Sequence, residues 1–371
     1  MQRIKKKTAR FLPIVAFLLF LGFFGFGSLG TNLWSGTPVP PTTIPGFLNG
    51  TWRHQLEQWF DKGLPLKNSL VAAWQTLVYQ FFNQGLPGLI VGQEGWLFTR
   101  EEWYSSPLMI DEPITWESIE QIHEQLSLKE INLVIVPLPG KNRVLSANHS
   151  QPLPAELENR YSAFLSGLES RNILFVDLYH LYTQHPEREQ LFFRTDTHWT
   201  PLGAQKAAQA AAHLILAQPW VQNLQQADFT SVSQKKNEHR GDLFEFLPPQ
   251  TILGNWLPRK LPEPDSLTLW ETTMTQGPSL GLFDTPEIPL ALVGTSYSAN
   301  EQWNFLGFLQ EFLSMDGIPF AAEGRGPLVP MRQALDNPVI QEVGVRVVIW
   351  EIPERYLCSS VYSQGGNFNS P

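Results

Sequence analysis

Three side chains have the types and surroundings that acyl-group chemistry needs. Ser296 follows the apolar run Leu290-Ala291-Leu292-Val293 through Gly294 and Thr295. A strand that runs into a glycine and a serine before a helix leaves a hydroxyl exposed at the carboxyl end of a sheet. The cap of that helix is assigned to Ser298, because Ser298-Ala299-Asn300-Glu301 reads as a capping box, so Ser296 has no structural duty. Ser298 also stands where a Gly-x-Ser-x-Gly elbow has its second glycine, which disfavours an ordinary α/β-hydrolase. Asp196 and His198 lie two apart in Phe193-Arg194-Thr195-Asp196-Thr197-His198-Trp199-Thr200-Pro201. In an extended segment such positions share a side, so the carboxylate orients the imidazole. Thr200 and Pro201 then open the next helix without drawing on Asp196. His198 would be the base that activates Ser296, and Asp196 the acid that fixes its tautomer. A lone Asp-x-His pair fits a surface pair or a metal site as well. His180, His185 and His239 have no recognised ligand spacing, so no metal is expected.

These residues need a sheet to bring them together. Asn132–Pro137, Asn172–Leu178, Leu290–Gly294 and Arg346–Ile352 are continuous apolar runs, the pattern of strands covered on both faces. Helical patterns at about 116–128, 155–170, 201–217 and 299–314 alternate with them. The alternation predicts a three-layer α/β domain with a mainly parallel sheet. Residues 218–288 are Pro-rich and without period, which predicts long loops over one end of the sheet. Upstream, Thr51–Asp61 and Leu66–Asn83 read as helices with Trp59, Leu70, Trp74 and Phe81 on apolar faces. Val91 to Phe98 reads as a hairpin.

Composition narrows the function classes. With 43% hydrophobic and 16% charged residues over 371 positions, the chain can build a packed core and is not a disordered segment. Five bases (Arg3, Lys5, Lys6, Lys7, Arg10) lie in the first ten residues; without them, 21 basic and 35 acidic residues leave −14, which repels a polyphosphate and excludes a nucleic-acid partner. One cysteine, Cys358, makes no intrachain disulfide. Phe11 to Gly30 holds no charge and follows the basic cluster. It reads as a signal anchor long enough to cross a bilayer, with residues 1–10 as a cytoplasmic basic tail and the rest outside the cytoplasm. A cleaved signal peptide is the alternative. Residues 31–49, rich in Pro, Thr and Gly, read as a linker, and 50–371 as the folded domain.

The chain resembles the alginate O-acetyltransferases of the AlgJ and AlgX type, whose catalytic domain is SGNH-hydrolase-like. The resemblance rests on Val91-Gly92 with Gly95-Trp96-Leu97-Phe98, Thr195 to Gly203, Gly241-Asp242-Leu243, Gly294-Thr295-Ser296-Tyr297-Ser298, Glu323 to Pro327 and Ile349 to Leu357. It implies an acetyl-serine intermediate on Ser296, His198 as base, Asp196 as orienting acid, and transfer to hydroxyls of an exopolysaccharide. The acid and base precede the serine, an order the family shares. By analogy with other nucleophile turns, the Tyr297 N–H is the oxyanion candidate. Lys141, in Pro139-Gly140-Lys141, reads first as a solvated loop lysine and is otherwise a candidate substrate contact; Arg194 and Arg325 are further candidates. On this resemblance the chain is expected to be without the C-terminal carbohydrate-binding module of the AlgX type and to stand closer to the membrane-anchored AlgJ type. The resemblance further implies a periplasmic catalytic domain held at the inner membrane, with an integral-membrane acyltransferase as acetyl donor. No nucleotide-cofactor fingerprint is present, and no cofactor is expected. A carbohydrate acetyl-esterase with the same three residues, or a non-catalytic part of a polysaccharide-secretion complex, are the competing functions.

Overall fold

The computed structural model describes residues 18–19, 22–104, 113–278, 286–357 and 361. The basic tail, most of the first half of the apolar run and Cys358 lie outside them. Among the described residues, no helix is long and apolar enough to cross a membrane. The chain divides into two compact units, one of residues up to 78 with 249–257, the other of 79–248 with 258–371.

In the first unit, helix α1 (Thr51–Lys62) starts after Gly50, whose φ of 81° suits a residue without a Cβ, and stops at Gly63. Trp59 is its buried anchor: the indole N–H donates to Thr37 O at 3.1 Å, and Asn32 Nδ2 donates to Trp59 O at 2.5 Å. The expected linker is therefore partly structured, and Thr43 caps a short helix at Ile44–Leu48. Helix α2 (Lys67–Phe82), which belongs to this unit as far as Val78, matches its expected span, but part of its apolar face is exposed. Leu70 and Trp74 are 47% and 63% exposed.

The second unit carries the sheet. Its elements run β1 (Leu89–Val91), β2 (Leu97–Thr99), α3 (Trp116–Leu128), β3 (Asn132–Leu138), α4 (Lys141–Val144), α5 (Arg160–Ser170), β4 (Leu174–Phe175), α6 (Leu178–Gln184), α7 (Pro201–Leu216), β5 (Asp228–His239), β6 (Asp265–Gln276), β7 (Leu290–Val293), α8 (Ser296–Ala299), α9 (Phe305–Leu313), β8 (Gly317–Pro319), α10 (Leu328–Asp336) and β9 (Val347–Pro353). Five strands form one sheet in the order β4-β3-β9-β7-β8, with each neighbouring pair parallel. Alternate residues feed two cores. Val134, Val136, Leu292 and Ile349 pack with α7 and α9, whereas Ile135, Val293, Val348 and Trp350 pack with α3, α5 and α10. Burial on both faces explains why these strands lack polar alternation. The small side chains of Ala204, Ala207, Ala208 and Ala211 form the buried side of α7.

Two expectations fail for identifiable reasons. Residues 218–288 are not loops throughout: β5 and β6 form a long antiparallel ribbon in which His239 pairs with Asp265. Its strands are largely exposed, so main-chain bonds hold them and no apolar period announces them. The helix expected at 299–314 is broken. Asn304, at φ 54°, separates a single turn at Glu301–Trp303 from α9.

Candidate active site

The carboxyl ends of β3, β7 and β9 converge, as ligand sites do in parallel sheets. Beyond β7, Thr295 caps α8, and Ser296 begins it half-buried. This turn hangs on Glu351, a fully buried carboxylate of the adjacent β9. Glu351 Oε2 accepts from Thr295 N at 2.7 Å, Thr295 Oγ1 at 3.0 Å and Ser298 Oγ at 3.1 Å. The expected capping box is thus absent, because the Ser298 hydroxyl is spent on Glu351 and Asn300 caps the following turn instead. A Cβ on Gly294 would sit 2.5 Å from Glu351 Oε2, so only glycine permits this approach. Burial pushes the Glu351 carboxyl up from its ordinary range, against the pull of its hydrogen bonds.

The segment that carries Asp196 and His198 is a turn, not an extended strand. Phe193 N donates to His198 O at 3.2 Å and closes it, and His198 N donates to Asp196 Oδ1 at 2.8 Å, as in an Asx turn. That local geometry, rather than strand alternation, puts His198 Nδ1 2.6 Å from Asp196 Oδ1. His198 Nε2 lies 2.7 Å from Ser296 Oγ. The three residues singled out in the sequence are therefore joined in one hydrogen-bonded line.

Side chains from distant elements hold this turn. Asp265 accepts from Arg194 N at 3.2 Å and Thr195 N at 2.8 Å, and Asp242 accepts from Thr197 N at 2.8 Å. A Cβ at Gly241 would lie 2.2 Å from Thr195 O. Lys141 is neither a solvated loop residue nor open to substrate, being 1% exposed. Its Nζ donates to the carbonyls of Leu97 at 2.6 Å, Asp196 at 2.9 Å and Arg194 at 3.2 Å. Burial lowers its pKa to about 8, against the pull of Glu102 and Asp196, so it is a cation at neutral pH with three acceptors for three N–H groups. The Lys141 turn in its own right hangs on carboxylates. Glu102 accepts from Lys141 N at 3.0 Å and Asn142 N at 2.8 Å, and Glu354 accepts from Gly140 N at 3.0 Å. Tyr297 stitches the halves together, its hydroxyl donating to Thr197 O at 2.8 Å while its carbonyl accepts from Trp199 Nε1 at 3.1 Å.

Asp196 is 3% exposed. Burial raises its pKa, but hydrogen bonds from His198 and His239 outweigh this and hold the carboxyl well below the usual range. Asp242 goes the other way, raised by burial and by the nearby Asp196 charge. Asp196, His198 and Asp242 bring ligand-type atoms within 4.8 Å of one another, yet a metal there would have to displace the His198–Asp196 bond. Of the remaining candidates, the Tyr297 N–H has only a long contact, 3.4 Å, to Thr295 Oγ1. Arg194 Nη2 donates to Glu263 O at 3.1 Å, and Arg325 is exposed in the turn after β8, a segment anchored by Ala322 N on Gly294 O at 3.1 Å.

The sequence alone does not disclose these roles of Glu351, Asp265, Asp242 and His239. Glu351 has a signal, since a carboxylate inside an otherwise apolar strand implies a buried set of donors. His239 and Asp265 have none, because the largely exposed ribbon that delivers them has no apolar period.

Known proteins give a consistent picture. The family described as SGNH hydrolase-like domain, acetyltransferase AlgX, matches residues 89–354. A protein of Pseudomonas putida named probable alginate O-acetylase AlgJ is 36% identical, over 94% of this chain and 90% of its own length. The protein of that name from Pseudomonas aeruginosa is 34% identical, over 91% and 88%. The solved O-acetyltransferase domain of Pseudomonas putida AlgJ superposes with a TM-score of 0.61 at 34% identity, covering 73% of this chain and 92% of that domain. Pseudomonas aeruginosa AlgX shares the fold, with a TM-score of 0.55 at 22% identity over 76% of this chain and 68% of that one. With its parallel sheet and its serine, histidine and aspartate at the carboxyl edge, the chain belongs to the SGNH-hydrolase-like acetyltransferase family of AlgX.

Proposed function

We propose that the chain is an extracytoplasmic O-acetyltransferase that carries an acetyl group on Ser296 and passes it to hydroxyls of an exopolysaccharide, alginate being the polymer named for its relatives. The observation that carries this reading is the line Ser296 Oγ, His198 Nε2 at 2.7 Å, and His198 Nδ1 to Asp196 Oδ1 at 2.6 Å.

Ser296 Oγ attacks the acetyl carbonyl of the donor while His198 Nε2 takes its proton. Asp196, held anionic, accepts from His198 Nδ1–H and stabilises the imidazolium. The tetrahedral oxyanion is met by backbone N–H at the start of α8, with Tyr297 N–H as the candidate. The C–O bond to the donor breaks, the leaving oxygen takes the proton from His198, and acetyl-Ser296 remains. A polymer hydroxyl then gives its proton to His198 and attacks the acetyl carbonyl. Collapse releases the polymer acetate, and Ser296 recovers the proton. Arg325, exposed and free of any bond described above, is the candidate for polymer contact. Lys141 and Arg194 act through the backbone instead.

Membrane attachment is part of the proposal. It is supported by the uncharged run 11–30 behind a basic cluster, and by the exposed apolar residues Leu70, Trp74, Ile252 and Trp256 of the first unit. An integral-membrane acyltransferase is the proposed acetyl donor. Incubation of the full chain with an activated acetyl ester, with and without oligouronate, tests the transfer. Acceptor-dependent ester formation on the oligosaccharide is expected. Acetate release at a rate blind to the acceptor contradicts transfer and leaves an esterase.

A further inference from the structure

We propose that His239 is a positioning residue for this reaction: its Nε2–H holds the second oxygen of Asp196 and so fixes the orientation and basicity of the base, His198. The proposal rests on the Ser296–His198–Asp196 reading above. It concerns a side chain at the end of a ribbon that the sequence does not reveal.

The catalytic carboxylate has no free oxygen. Oδ1 receives His198 Nδ1 at 2.6 Å and His198 N at 2.8 Å. Oδ2 receives His239 Nε2 at 2.9 Å and Asp242 N at 3.1 Å. Because an ionised carboxylate only accepts, the bond requires the proton of His239 to sit on Nε2. The ring has little freedom: its centroid lies 4.5 Å from that of Phe193 and 5.5 Å from that of Trp303, edge-on at 90°. Trp303 also stacks on His198, with centroids 5.7 Å apart and planes at 29°. One indole therefore packs both imidazoles that share the carboxylate. The side chain of His239 is 14% exposed.

Two effects follow. Without His239, Oδ2 would keep only the longer bond from Asp242 N, and the carboxylate could turn about Cβ–Cγ and loosen its line to His198. The donors on Oδ2 also draw charge away from Oδ1 and moderate how strongly Asp196 favours the imidazolium. The charged groups facing this arrangement are Asp196 and Asp242, Asp265 across the ladder from His239, and the Lys141 cation behind Asp196. His239 touches no reacting atom, so its influence runs through Asp196.

The test uses the full chain and a chromogenic acetyl ester, with kcat and KM followed across pH. His239→Phe keeps a ring but removes the donor. It should lower kcat about ten-fold or more, the usual worth of a hydrogen bond to a charged group, leave KM within about two-fold, and displace the acidic limb of kcat/KM, which reports the pairing of His198 with Asp196. His239→Gln, which can donate from the same side, should return both the limb and most of the rate. A rate loss with an unmoved limb, equally severe in both variants, would mean a packing role and overturn the proposal. So would wild-type behaviour of His239→Phe. Should that variant fail to fold, nitrogen-15 shifts of the unsubstituted protein decide: His239 protonated at Nε2 supports the proposal, and an Nδ1–H tautomer with bare Nε2 refutes it. Ser296→Ala separates the two readings. If it kept full turnover, the parent reading and this one would fall together; if it lost turnover while His239→Phe changed nothing, only the role of His239 would fall.

Discussion

In the proposed mechanism an acid–base turn at 193–198 and a nucleophile turn at 294–298 deliver their side chains to one point, yet they are held differently. The nucleophile turn grows directly out of β7 and depends on one buried group, Glu351, plus the capping geometry of Thr295. The acid–base turn leaves no strand of the main sheet; Lys141, Asp242, Asp265 and His239 hold it from α4, the β5–β6 ribbon and the segment after β5. Segments outside regular ladders have backbone groups to satisfy, and here side chains satisfy them. Both turns, and the Lys141 turn with them, share one device: peptide N–H groups bound to carboxylates. Part of the acid excess of the chain is thus internal scaffolding rather than surface charge.

The comparison predicts a graded response to substitution. Lys141→Met should do the most damage, because it leaves three carbonyls without their shared donor beside buried Glu102. A loss of roughly 3–5 kcal/mol in denaturant unfolding is expected, with activity falling at least about a hundred-fold. Glu351→Gln keeps the shape but replaces one acceptor oxygen by a donor facing Thr295 or Ser298. A loss of about 1–3 kcal/mol and roughly ten-fold in kcat should follow. If Glu351→Gln proved the more damaging of the two, the contrast between the turns would be wrong. In an acid titration followed by circular dichroism, Asp196 has a defined window. Its pKa is depressed in the folded chain, so its contribution is complete above the ordinary value of 3.8 and is lost as pH falls below that. Asp196→Asn should flatten stability in that window. Arg325→Ala should change the unfolding midpoint by less than about 0.5 kcal/mol, as surface changes do. Its effect should be confined to a few-fold rise in KM for oligosaccharide.

The same contrast explains what the sequence discloses. The apolar strands 132–138, 290–293 and 347–353 are legible because both faces are buried, and Asp196, His198 and Ser296 stand out because Asp-x-His and Gly-Thr-Ser are unusual chemistry at element boundaries. The strand geometry inferred for Asp196 and His198 is replaced by an Asx turn that satisfies the same spacing. Lys141 looks like any loop lysine until the fold buries it, and the polar ribbon that carries His239 and Asp265 has no apolar period to read.

The proposed function stands or falls with covalent acetylation of one hydroxyl, that of Ser296. Intact mass of the full chain after brief exposure to an activated acetyl ester, followed by peptide mapping, measures it directly. The account predicts one added acetyl group on the peptide containing Ser296, absent in both Ser296→Ala and His198→Ala. Turnover without any such adduct in rapidly quenched samples, or an adduct that persists in Ser296→Ala, would contradict it.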